Sequence, residues 1–110
     1  MKNRIERINQ LIREKVAEIL LRDIFVKGSL ITVQNVDTTK DLKYAKIMVS
    51  IIPFSESTKV MKILEKQAPS IQAKLNSMVR IKFVPRIKFY LDVSEEKAGR
   101  VEEILRNITK

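Results

Sequence analysis

Cysteine, histidine and tryptophan are all absent from this chain of 110 residues. Without Cys there is no disulfide scaffold. Without Cys or His there is no thiolate or imidazole metal ligand, and no nucleophile or base of those kinds. Glycine occurs only as Gly28 and Gly99, too few for a phosphate-cradling Walker loop or a dinucleotide fingerprint. The longest nearly apolar run, Ile47 to Phe54, is far too short to cross a bilayer, and Met1-Lys2-Asn3-Arg4-Ile5-Glu6-Arg7 carries charge with no apolar stretch behind it. No membrane partner and no secretion signal are therefore expected, and the cytoplasm is the default compartment. No catalytic residue, metal, cofactor or small-molecule substrate is expected either.

What remains is a chain with 45% apolar and 32% charged residues, a balance that supports one hydrophobic core and hence a single domain spanning residues 1–110. Lys and Arg number 22 against 13 Asp and Glu, a net charge of +9 that attracts polyanions. Nucleic acid leads the classes of partner.

Hydrophobic periodicity orders the chain. From Asn3 to Arg22 the residues Ile5, Ile8, Ile12, Val16, Ile19 and Leu20 recur every three or four positions, the pattern of an amphipathic helix. After Lys27-Gly28-Ser29, Leu30 to Asp37 alternates as a strand. Tyr44 to Ile52 then places Ala45, Ile47, Val49 and Ile51 opposite Lys46, Met48 and Ser50, an antiparallel partner across a polar turn. Pro53 ends that strand, and Ser55-Glu56-Ser57 offers side-chain acceptors for the amides of a following helix. That helix buries Val60, Met61, Leu64 and Ala68. Pro69 breaks it, and Ile71, Leu75 and Met78 resume a second short helix. Val79 to Asp92 reads as a long third strand, bent at Pro85, with Phe83 and Phe89 on its apolar side. Ser94 caps a last helix carrying Val101, Leu105 and Ile108; its Glu95, Glu96, Glu102 and Glu103 read as dipole partners and solvated surface. The expected class is α+β, a three-stranded sheet with the helices on one face, in the order α-β-β-α-kink-α-β-α.

Charge is concentrated between Ser57 and Tyr90, where Lys59, Lys62, Lys66, Lys74, Arg80, Lys82, Arg86 and Lys88 face Glu65 alone. Helical spacing sends Lys59, Lys62 and Lys66 away from the apolar arc. On any one helix such a face is ordinary solubilising surface. Arg80, Lys82, Arg86 and Lys88 would share one sheet face if no bulge intervenes, and two adjoining cationic surfaces point to a phosphate-backbone footprint. All eight are therefore candidate RNA contacts. Tyr44 and Tyr90 read as residues packed at a sheet margin, with a solvent-facing position as the alternative, so recognition by shape and phosphate is expected rather than base readout.

The hairpin Ile31 to Ser50, with its core Asp41-Leu42-x-x-Ala45-Lys46-x-x-Val49-Ser50, resembles the bacterial ribosome-binding factor A family, as does Arg80 to Asp92 followed by Ser94. The likeness runs from the first helix, with Arg13-Glu14, through the last. It implies a type II KH-like fold in which an Ala-x-Gly kink joins two helices; here that place reads Ala68-Pro69-Ser70, so Ala68 matches and Ser70 departs from the glycine. The resemblance further implies a monomer that associates with the free 30S subunit and assists late maturation of 16S rRNA near its 5' terminal helix, without residing on translating ribosomes. Two other readings of the residues stand beside it. One is a small basic adaptor for an acidic protein; the other is a small nuclease or RNA-modifying enzyme, which the lack of His and Cys disfavours although a Mg site needs only carboxylates.

Overall fold

The structure is a computed structural model that describes residues 3–93. Helix α1, Arg4–Asp23, begins where the Asn3 side chain accepts the Glu6 amide at 2.8 Å, satisfying one of the amides a helix start leaves unpaired. Its buried residues Ile8, Ile12, Val16, Ile19 and Leu20 follow the expected spacing. The helix stops at Ile24, which turns to extended backbone, and Gly28 takes a φ of 81° in the turn before the first strand.

Strand β1, Leu30–Thr38, pairs antiparallel with β2, Tyr44–Ile52, and β3, Arg86–Leu91, lies parallel to β2, giving the sheet order β1-β2-β3. Ala45, Ile47, Val49 and Ile51 are all buried, so the alternation of β2 places its inward face as expected. A bulge in β1 shifts the register between Val33, opposite Val49, and Asn35, opposite Met48. The extra residue resets the strand's phase, and Val33 and Val36 both reach the core although three positions apart. In the connecting turn the Asp41 carboxylate accepts from the Thr39 hydroxyl at 2.6 Å and the Lys43 amide at 3.1 Å. Those two bonds, the hydroxyl's first, hold its pKa below 3.8. Asn9 of α1 accepts the Thr38 amide at 3.0 Å and ties the end of β1 to the helix layer.

A short 3-10 turn, Phe54–Glu56, leads into α2, Ser57–Met78. No side chain caps this helix, contrary to the reading of Ser55-Glu56-Ser57; the preceding turn delivers the chain instead, and the Ser57 hydroxyl is buried without a partner. The expected pair of helices is a single one. Helix α2 runs through Pro69 without interruption because Val60, Leu64, Ile71 and Leu75 fall within an arc of about 60° at 3.6 residues per turn. The stripe stays in phase on both sides of the proline, so the same core holds both halves. Pro69 lies opposite that arc and is exposed, as is Glu65, whose carbonyl loses its amide partner to the ring and can be hydrated.

The third strand is shorter than the pattern suggested. Residues 79–85 are irregular, with Val79 closing α2 by donating its amide to Leu75 at 3.1 Å and Phe83 74% exposed rather than on the apolar side. The reason is the neighbour. Strand β2 begins at Tyr44, opposite Arg86, so the chain before Arg86 has no strand to pair with and cannot satisfy an extended backbone. The expected last helix lies outside the described residues.

One core fills the space between the helices and one sheet face, with Ile12, Val16, Ile19, Ile47, Val49, Val60, Leu64 and Leu75 at 0% exposure. Each such side chain contributes about 1.5–3 kcal/mol of transfer free energy. The other sheet face is left open. Gln72 joins α2 to the outer edge of β3: its amide donates to the Pro85 carbonyl at 3.1 Å, and its oxygen accepts the Ile87 amide at 2.8 Å.

Candidate nucleic-acid interface

All eight basic residues singled out from the sequence are exposed, and the fold divides them. Lys59, Lys62 and Lys66 occupy the solvent side of α2, directly away from the stripe that packs on the sheet. Their spacing of three and four residues gathers the three ammonium groups within an arc of about 60°.

Arg86 and Lys88 project from β3 on the open sheet face, where they meet a residue the sequence reading left out. Lys46 of β2 is directly opposite Lys88, and Tyr44 is opposite Arg86. The signal for Lys46 was present in the alternation of β2, since every residue of the parity opposite to Ala45, Ile47, Val49 and Ile51 faces outward. The helix face and the open sheet face are therefore opposite sides of a two-layer molecule.

Arg80 and Lys82 do not join the strand face. Both lie in the irregular stretch before β3, and Lys82 and the exposed Phe83 border a groove of about 830 Å³ whose other cations are Arg4, Arg7 and Lys43. Lys74 is committed elsewhere: its ammonium pairs with Asp23 of α1 at 2.8 Å, between side chains 45% and 28% exposed. This ion pair binds the two helices together and takes Lys74 out of the set of unengaged cations. Among the described residues no carboxylate comes within 4 Å of Lys59, Lys62, Lys66, Arg80, Lys82, Arg86 or Lys88. Seven exposed cations without acid partners make a surface whose counterions a polyanion can displace.

Tyr44 takes the solvent-facing alternative, and Tyr90 lies on the edge strand β3 with two lysines against its ring. The two tyrosines are 56% and 38% exposed on the open face, and the ammonium groups of Lys46 and Lys88 lie 4.7 and 5.5 Å from the centre of the Tyr90 ring. Residues 68–70, where the resemblance places a kink, sit mid-helix in α2, with Pro69 and Ser70 exposed and Ala68 partly buried against the core. Among the described residues no group of three or more acidic residues is placed to hold a metal, and no helix is long and apolar enough to cross a membrane.

The model of the family described as ribosome-binding factor A matches residues 4–105. The protein named ribosome-binding factor A from Dictyoglomus thermophilum is 40% identical over 111 residues, covering 98% of this chain and 92% of that one. Among solved structures, the crystal structure of ribosome-binding factor A from Thermus thermophilus aligns with a TM-score of 0.69 at 22% identity, over 81% of this chain and 97% of that one. A Thermus thermophilus homology model of the factor, fitted into a cryo-EM map of its 30S complex, aligns with a TM-score of 0.63 at 23% identity, over 77% and 91% of the two chains. The shared architecture is the KH-like fold.

Proposed function

The chain belongs to the ribosome-binding factor A family, and from that premise we propose that it binds the free 30S ribosomal subunit and assists late maturation and processing of 16S rRNA, near that RNA's 5' terminal helix. It acts by binding alone, as a cytoplasmic monomer. The cations on α2, on the open sheet face and in the stretch before β3 neutralise phosphates of the immature subunit. The RNA conformation that fits them is favoured by the difference in affinity between that conformation and its competitors. Nothing is cleaved by the protein itself.

The observation that carries this reading is the set of seven exposed cations, unpaired with any carboxylate among the described residues, on a chain of net charge +9. A merely solubilising surface pairs both signs, whereas none of these side chains has a carboxylate within 4 Å among the described residues. Sedimentation of cell extract through a gradient, followed by detection of the protein, tests the proposal. It is expected with 30S particles and absent from 70S ribosomes and polysomes, and nuclease treatment should release most of it. Association that survives nuclease would favour a basic adaptor for an acidic protein.

A further inference from the structure

We propose that the open face of the sheet is a binding surface for single-stranded RNA, on which an unpaired base stacks against Tyr90 while Lys46, Arg86 and Lys88 hold the flanking phosphates. The inference rests on the RNA-binding reading above and goes beyond it in assigning a particular face and a particular form of RNA.

Three observations carry it. The first is placement: both tyrosines of the chain, Tyr44 and Tyr90, stand on this face, 56% and 38% exposed. A partly exposed aromatic ring beside cations is the element that single-strand binders use to seat a base, because every base has a π face. The second is the charge arrangement. Lys46 and Lys88 are cross-strand partners, a like-charge pairing that destabilises a sheet, and both ammonium groups gather over the one ring at 4.7 and 5.5 Å. An anion bridging the pair removes that repulsion, and a phosphate on either side of a stacked base does so in the geometry the ring dictates. Asp37, opposite Lys46 on the far strand, makes no ion pair with it. The third is shape. Tyr44, Lys46, Arg86, Lys88 and Tyr90, with Asp37 as the one carboxylate among them, line a shallow groove of about 440 Å³, at the small end of the range of ligand sites.

Double-stranded RNA cannot use this surface fully, because its bases are already stacked and its helix is stiff. It can meet the lysines but not the ring. The solvent side of α2, which has cations and no aromatic, carries no such preference. The molecule therefore has one face suited to any RNA backbone and another suited to unpaired nucleotides, as a maturing RNA with single-stranded ends and junctions would require.

The chain offers a direct readout, since it has two tyrosines and no tryptophan, so its intrinsic emission reports on this face alone. Titration with a single-stranded uridine octamer should quench tyrosine emission, while inorganic polyphosphate of matched charge or a blunt RNA duplex should bind with little quenching. Tyr90→Leu should weaken octamer binding about tenfold and Tyr90→Phe should retain it, with duplex affinity within about twofold of wild type in both. Circular dichroism of both variants confirms that this exposed position leaves the fold intact. Equal octamer affinity for Tyr90→Leu and wild type overturns the inference while leaving the proposed function in place, provided wild type still sediments with 30S particles. Wild-type protein that binds no RNA of either form removes both. Quenching by an acidic peptide but not by the octamer would assign the face to a protein and likewise overturn the inference.

Discussion

Replacing Lys59, Lys62 and Lys66 together with glutamine isolates the electrostatic contribution of the α2 face. The three side chains are exposed and lie opposite the buried stripe, so the substitution removes charge without disturbing the core, and relief of their mutual repulsion keeps the helix at least as stable. If the protein engages about six phosphates, its salt slope is roughly −5, and affinity falls about a thousandfold between 50 and 200 mM salt. Removing three contacts leaves a slope of about −2.7, and the same change in salt then costs only about 40-fold. The measurement is fluorescence anisotropy of a labelled precursor 16S fragment over that salt range, with the urea midpoint of both proteins recorded in parallel. The expected result is a slope shallower by about 2–3 units and an unchanged midpoint. A slope within about half a unit of wild type would refute the assignment of this face to phosphate binding.

Other perturbations address the scaffold beneath these surfaces. Leu64→Ala, at a position with 0% exposure, should cost about 2–5 kcal/mol in chemical denaturation; a loss under 1 kcal/mol would mean α2 is not anchored there. Gln72→Ala removes two hydrogen bonds from the outer edge of β3 and should cost about 1–3 kcal/mol, with faster hydrogen exchange at the Ile87 amide as the local signature. Lys74→Gln breaks a half-exposed ion pair, for which a stability change no larger than about 1 kcal/mol is expected, and because this lysine is already engaged the salt slope of RNA binding should stay as it was. Asp41 has a folded pKa below its ordinary 3.8, so its contribution to stability is present above that pH and lost as pH falls through the lower folded value. Acid titration of Asp41→Asn should accordingly lack that part of the acid-side decline, whereas a decline identical to wild type would show that the turn bonds add nothing.

The hairpin and the first helix were legible because one face of each is buried. Burial on one side of a strand writes a period of two, and on one side of a helix a period of 3.6. Both strands of the hairpin start and Tyr44–Ile52 ends where the alternation says, and α1 is displaced by a single residue. The same rule misled at Val79-x-Ile81-x-Phe83, where alternation exists without a neighbouring strand, and it does not extend across the bulge in β1 that brings Val36 to the core. Pro69 reads as a break when only the lost amide is counted. The stripe on either side of it, judged as a packing surface, keeps the helix whole.

Composition determined that this protein is strongly cationic with no Cys or His chemistry, and the periods determined its helix, hairpin and sheet with one wet face, because these follow from which side chains are present and which tolerate water. The grouping of the cations was decided only by tertiary structure. Sequence fixes a side chain's direction relative to its own element, but which layer that element joins depends on packing between distant segments. So Lys59, Lys62 and Lys66 came to one side of the molecule, Arg86 and Lys88 to the other beside an unforeseen Lys46, and Lys74 into an ion pair with a residue some fifty positions earlier. The tyrosine ring between two lysines exists only because β3 aligns parallel to β2 in one register, and no local pattern encodes that register.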